Sequence, residues 1–191
     1  MSIQKIQVII EGATGRLGQM QHLKALLNIR KEGGLLLKNG DRLVPEPVLL
    51  GRNAEKLQAL AATHDLAWTT DREACLADTN HLIYFDASVT AGRHLRAKSA
   101  LEAGKHIYLE KPIAESLEQA LDLASMAERL GLKNGTVQDK LFLPSLTKLR
   151  KLVQTGFFGE ILTARIDFGW WVFDGEIHPA QRSSWNYRKK D

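Results

Sequence analysis

Ile6-Gln7-Val8-Ile9-Ile10-Glu11-Gly12-Ala13-Thr14-Gly15-Arg16-Leu17-Gly18 carries the strongest local signal in the chain. It opens on a β-branched apolar run. A short apolar run closed by glycine reads as a buried parallel strand. Beyond the glycines, Leu17, Met20, Leu23, Leu26 and Leu27 recur at helical spacing. The segment is therefore strand, glycine turn, helix. In such a turn the first glycine, Gly12, permits a tight reversal. The middle one, Gly15, lets the backbone approach a pyrophosphate, and Gly18 allows close packing of helix on strand. The helix N-terminus adds N–H groups and the positive end of its dipole. Gly12, Ala13, Thr14, Gly15, Arg16, Leu17 and Gly18 thus form a candidate dinucleotide phosphate loop. The spacing is G-x-x-G-x-x-G rather than G-x-G-x-x-G, so the loop is shaped differently from the commoner form, and a plain βα turn is the alternative.

Downstream, strands and helices alternate. Leu35 to Lys38 and Asp41 to Val44 flank Asn39-Gly40, a hairpin signal. It reads as an inserted hairpin ahead of a second core strand, Val48-Leu49-Leu50. A helix is expected from Ala54 to His64, and another from Asp71 to Ala77. A strand follows at His81 to Phe85 and a helix at Ala91 to Ala103. His106 to Leu109 is the next strand, Ser116 to Leu130 a strongly amphipathic helix, and Thr136-Val137-Gln138 a short strand. This alternation predicts an α/β fold, a doubly wound parallel sheet of Rossmann type. The character changes near Lys140. Pro144 to Gln154 reads as one more helix. Ile161 to Phe173, alternating and aromatic, reads as an antiparallel strand of another sheet. The expected division is a dinucleotide-binding domain over 1–138 and the start of an α+β substrate and oligomerisation domain over 139–191.

The end of the second core strand usually selects the cofactor. Here it is Gly51-Arg52-Asn53, without a carboxylate. An acidic residue there would bind the ribose 2′-hydroxyl of NAD and repel a 2′-phosphate. Arg52 can hold that phosphate bidentately and stack on adenine. The expected cofactor is NADP, with NAD the alternative, and a solvated surface arginine the bland reading. Ligands of open α/β sheets sit beyond the carboxyl ends of the strands. Glu110-Lys111-Pro112 lies at such an end. The proline restricts Lys111 to extended backbone and admits a cis bond. A lysine fixed beside a nicotinamide can give a proton to a carbonyl or take one from a hydroxyl during hydride transfer, and Glu110 could orient its ammonium. An ordinary surface Glu-Lys pair is the alternative.

Composition excludes several classes. With 44% apolar and 25% charged residues, the 191-residue chain has the make-up of an ordinary globular protein. Cys75 is the one cysteine, so no internal disulfide forms, and the chain fits a reducing compartment. The net charge of +4 is small and mixed along the chain. It matches an anionic cofactor better than nucleic acid. No apolar run reaches the ~20 residues of a membrane helix. A strand pattern beginning by Ile6 leaves no space for a signal peptide, so a cytoplasmic location is expected. His22, His64, His81 and His106 lack metal-ligand spacing and read as surface or strand residues, with no metal expected.

Gly104-Lys105-His106-Ile107-Tyr108-Leu109-Glu110-Lys111-Pro112 resembles the "AGKHV…EKP" signature of the glucose–fructose oxidoreductase / inositol dehydrogenase (Gfo/Idh/MocA) family. The resemblance runs from about Ile6 to the end of the chain. It implies a two-domain oxidoreductase using NAD(H) or NADP(H) on sugars, cyclitols and related polyols. It also implies oligomers paired through a C-terminal sheet. Lys111 matches the catalytic lysine, with Glu110 and Pro112 beside it. Ala87, Ser88 and Thr90 match positions that line the nicotinamide ribose. Gln138 and Asp139 match a strand end facing cofactor and substrate, and Trp185 and Tyr187 lie in a segment that approaches substrate. Departures are visible. Arg93 stands where the family often has a histidine. Ala13 stands where its first glycine often lies. The family's Asp and His of the second domain would follow Asp191, and His178 does not fit them. A catalytically incomplete cofactor-binding fragment is therefore the non-enzyme alternative. A short-chain dehydrogenase is disfavoured, because Tyr84, Tyr108 and Tyr187 are followed four positions later by Ser88, Pro112 and Asp191 rather than lysine. A semialdehyde dehydrogenase would need a nucleophilic cysteine, and Cys75 reads as a small buried residue.

Overall fold

A computed structural model describes residues 2–167. The chain divides into two compact units, Met1–Val137 and Gln138–Asp191. The first is a seven-stranded sheet wrapped by helices.

Its central strand β1 (Ile3–Glu11) ends at the glycine turn. Ile9 and Ile10 are both fully buried, as expected of a parallel strand covered on both faces. A π-helical turn (Gly18–Leu23) leads into α1 (Lys24–Lys31). The wide turn carries one residue more than an α-helical one, which shifts the phase of the apolar stripe. Met20, assigned to that stripe from its spacing, is consequently 63% exposed.

The hairpin exists, but its second arm and the second core strand are one element. Leu35–Leu36 (β2) pairs antiparallel with the start of β3 (Arg42–Leu50), which runs on without a break to pair parallel with β1. Pro45 and Pro47 conceal this continuity in the sequence, because prolines ordinarily argue against a central strand. Their tolerance follows from the ladder. Arg42 donates its N–H to Ser2 and the Leu50 carbonyl accepts from Gly12, so even-numbered residues of β3 face β1. Successive residues alternate, which turns Pro45 and Pro47 to the outer side. There β3 pairs with β2 only at residues 42 and 43 and with β4 (Ala67–Thr69) only at 48 to 50. The prolines occupy the gap between. The three-residue β4 has no counterpart in the sequence reading, because it is too short to show a period.

Helix α2 (Ala54–His64) is capped by the Asn53 side chain, and α3 (Arg72–Ala77) by Asp71. Then come β5 (His81–Asp86), α4 (Arg93–Glu102), β6 (His106–Leu109), α5 (Leu117–Arg129, capped by Ser116) and β7 (Asn134–Thr136). β7 lies two residues earlier than its apolar content indicates. Apart from β2 every pairing is parallel, in the order β2-β3-β1-β5-β6-β7 with β4 also on β3. One face carries Leu23, Leu57, Leu60 and Ala61 against Ile10 and Leu49. The other carries Ala97, Leu101, Leu123 and Ala127 against Ile9, Tyr84 and Ile107. The chain proceeds outward from β1 in one direction, returns, and proceeds from β5 in the other. The crevice beyond the ends of β1 and β5 is the topological switch point, where such sheets bind ligands.

Cys75 is buried in the second of these clusters. Burial, with a smaller contribution from Asp78, pushes its thiol up to about 11. At pH 8 the folded protein should therefore react with iodoacetamide about a hundredfold more slowly than the protein in urea. Equal rates, followed by mass spectrometry, would contradict the buried position.

In the second unit a short 3₁₀ turn (Asp139–Phe142) precedes α6 (Pro144–Gln154). No strand forms over residues 161–167. The alternation there is strand-like, but a strand needs a partner for its main-chain groups. The remainder of that expected strand, residues 168–173, lies outside the described residues. Among the described residues no helix is long and apolar enough to cross a membrane.

Candidate active site

Three loops leave the adjacent strands β1, β5 and β6 at the same end of the sheet. The first is the glycine turn. Gly12 has φ of +80° and donates its N–H to the Leu50 carbonyl. A Cβ on Gly12 would sit 2.8 Å from the backbone nitrogen of Ser88 in the β5 loop, and one on Gly18 would sit 2.3 Å from the Gly12 carbonyl oxygen. These two glycines let turn, helix and neighbouring loop close on one another. Gly15 is less confined. Thr14, Arg16 and Leu17 stay at least partly accessible, whereas the Ala13 methyl is in the core, so only the main chain of Ala13 could meet a ligand. The first turn of the helix holds no acidic residue, as an anion at that end requires.

At the end of β3, Arg52 is exposed and no carboxylate occupies Gly51-Arg52-Asn53. The Asn53 side chain accepts the Lys56 N–H at 2.9 Å, so it is engaged in capping α2.

The β5 loop is built on a buried charge cluster that sequence reasoning missed. Asp86 is fully buried. Its Oδ1 accepts the Ser88 N–H at 2.8 Å and the Ser88 hydroxyl at 2.6 Å, and its Oδ2 accepts from Arg96 Nε at 2.9 Å. Arg93, 1% exposed, has its Nε 3.6 Å from Asp86 Oδ1. Its Nη2 donates to the Ser88 carbonyl at 2.5 Å, and its Nη1 to the carbonyls of Glu110 (2.8 Å) and Pro112. One guanidinium thus ties the β5 loop to the β6 loop. Burial lowers the Arg93 pKa, against the pull of Asp86. On the other side, Glu11 accepts from Arg72 through both oxygens and from the Tyr84 hydroxyl at 2.5 Å. Burial, aided by the charges of Asp86 and Glu11, holds the Tyr84 phenol well above its ordinary range. The signal for this cluster in the sequence is an acidic residue closing each of two apolar strands, Glu11 on β1 and Asp86 on β5.

In the β6 loop the Lys111–Pro112 peptide is cis. Lys111 is exposed, and Glu110 is buried. The Glu110 carboxylate takes the Lys111 backbone N–H at 3.0 Å rather than its ammonium, contrary to the expected orienting role. Its other oxygen meets His22 Nε2 at 2.7 Å, so His22 is no surface histidine. Ala87 is buried and donates its N–H to the Glu11 carbonyl, Thr90 is half-buried, and Pro112 is exposed. Gln138 and Asp139 are exposed in the second unit, where Asp139 pairs with Lys140 at 2.9 Å. Trp185 and Tyr187 lie outside the described residues. Among those described, no group of three or more His, Cys, Asp or Glu is placed to hold a metal.

A glycine turn at the switch point of a doubly wound sheet, with a lysine loop two strands away, is the arrangement of a dinucleotide-binding domain of Rossmann class. Residues 6–137 match the Gfo/Idh/MocA oxidoreductase family, NAD-binding Rossmann fold, and the chain belongs to it. It is 49% identical over 188 residues to the D-xylose dehydrogenase of Paenarthrobacter nicotinovorans, covering 97% of this chain and 48% of that protein. An NAD binding oxidoreductase from Klebsiella pneumoniae shares the fold with TM-score 0.73 at 23% identity, over 82% of this chain and 40% of that one. A levoglucosan dehydrogenase in complex with NADH and levoglucosan does so with TM-score 0.71 at 21% identity, over 83% and 42%. The chain spans about half the length of the proteins it matches.

Proposed function

We propose that the protein is an NAD(P)-dependent dehydrogenase that moves a hydride between nicotinamide and a sugar, cyclitol or related polyol. Lys111 is its proton-transfer residue. The observation that carries this reading is the placement of the glycine turn, the Ser88 loop and the Lys111 loop on three adjacent strand ends. A relative named as a D-xylose dehydrogenase supports a sugar as substrate.

The bound nicotinamide supplies the acceptor or donor of hydride. The residues present fit such a group. Gly15 and Arg16 of the turn are exposed ahead of the helix, and its first turn carries no carboxylate to repel a phosphate. The main chain of Gly12 to Gly18 takes the pyrophosphate. Gly51, Arg52 and Asn53 meet the adenine ribose, and Arg52 holds a 2′-phosphate, which favours NADP. Ala87, Ser88, Thr90 and Pro112 line the nicotinamide side. The Lys111 ammonium gives its proton to a substrate carbonyl in reduction, and its amine takes the hydroxyl proton in oxidation. Glu110 fixes the backbone of that lysine. The resemblance to the family assigns Asp139, Trp185 and Tyr187 to substrate.

Fluorescence titration with NADPH and NADH tests the reading. Arg52→Asp should weaken NADPH by roughly 10- to 100-fold, the worth of a charge-assisted contact replaced by a like charge, and leave NADH within about threefold. An unchanged NADPH affinity removes Arg52 from the site. Binding of neither dinucleotide by folded protein removes the cofactor reading itself.

A further inference from the structure

His22 makes a buried contact that the chemistry above does not use. It sits in the π-helical turn Gly18–Leu23, directly behind the phosphate loop. Its Nε2 lies 2.7 Å from Glu110 Oε1 across 88 residues of sequence. The two side chains are 14% and 5% exposed. The ring stands edge-on to Phe85, centroids 4.5 Å apart, and Phe85 packs on Tyr108 of the catalytic strand. An ionised carboxylate only accepts hydrogen bonds, so His22 carries a proton on Nε2. The two oxygens of Glu110 are thus divided. Oε1 faces the helix that receives the phosphates, and Oε2 holds the backbone N–H of Lys111 at 3.0 Å.

We propose that His22 is a positioning residue for Lys111. By holding Glu110 from the helix side, it makes the phosphate helix and the lysine loop one rigid body. The distance between cofactor phosphates and proton-transfer group is then set by the protein rather than by the substrate. Without the imidazole, Glu110 keeps a buried oxygen that lacks a donor, while the adjoining residue, Lys111, carries an exposed ammonium. The carboxylate would then compete with substrate for the ammonium. The inference rests on the reading of Lys111 as the proton-transfer residue.

The variants are His22→Leu, which removes the donor, and His22→Gln, which restores one. The measurements are NADPH affinity, kcat and KM for D-xylose, and hydrogen exchange of the Lys111 amide in ¹⁵N-labelled protein. For His22→Leu the expected result is NADPH affinity within about threefold, kcat lower by roughly 10- to 100-fold, and Lys111 amide exchange at least about tenfold faster. His22→Gln should recover most of both losses. An unchanged Lys111 amide in His22→Leu overturns the proposal. So does a loss of NADPH affinity as large as the loss in kcat, because that would mark a role in folding the turn. Should His22→Leu not fold, His22→Asn, whose amide is too short to reach Glu110, takes its place against His22→Gln under the same criteria. If the unmodified protein binds NADPH but turns over neither D-xylose nor another sugar, the functional reading fails. The amide measurement, which needs no turnover, still decides whether His22 holds the lysine loop.

Discussion

Arg93→Ala should lower stability by about 3–5 kcal/mol, the usual effect of removing one partner from a buried ion pair. Arg93 is 1% exposed and Asp86 is fully buried, so water cannot replace what is lost. The carbonyls of Ser88, Glu110 and Pro112 lose a donor together, and each orphaned buried acceptor adds its own desolvation cost. Arg96 still neutralises Asp86 in part, which argues for the lower half of that range. Against a typical folding stability of roughly 5–15 kcal/mol the change is large. Arg93→Lys should recover little, because an ammonium cannot span three carbonyls as a planar fork does. Urea unfolding measures both variants, with Arg52→Ala as the exposed control, expected within about 0.5 kcal/mol of the parent. If Arg93→Ala and the control share one midpoint, the clamp described for the two loops does not exist.

On the proposed reading, Lys111→Met should reduce turnover of a sugar by roughly 10²- to 10⁴-fold, the worth of general acid–base catalysis. Dinucleotide affinity should change little, since the phosphates and ribose are held elsewhere. Stability should also hold within about 0.5 kcal/mol, because the side chain is exposed. This combination separates the residue from Arg93, whose loss acts on the fold. Steady-state kinetics with a parallel NADPH titration is the measurement. A Met variant with undiminished kcat would move the proton transfer to another group.

The chain discloses its architecture readily and its site only in part. Ala54–His64, His106–Leu109 and Pro144–Gln154 could be read to the residue, because each has a strong period and a clear boundary. The β3 strand could not, because Pro45 and Pro47 are acceptable only where the outer neighbour is missing, and sequence does not say where that is. The same limit applies to the site. Gly12, Gly18 and Lys111 stand in motifs whose chemistry is local. His22 meets Glu110, and Arg93 meets Pro112, only after the sheet has assembled. Arg93 is visible in the sequence as a departure from the family's usual histidine, but its role depends on carbonyls that no motif names.

The paired prolines of β3 have a consequence beyond register. The outer rim of a sheet is ordinarily a template on which a second molecule can add a strand, and fibrous association begins there. Here that rim is broken into two short flanks, β2 and β4, separated by positions that have no hydrogen to offer. An incoming chain would find no continuous row of donors. Pro45 and Pro47 are themselves buried, so the unpaired stretch of this long strand is both covered and without hydrogens to donate, and that side is closed to strand addition.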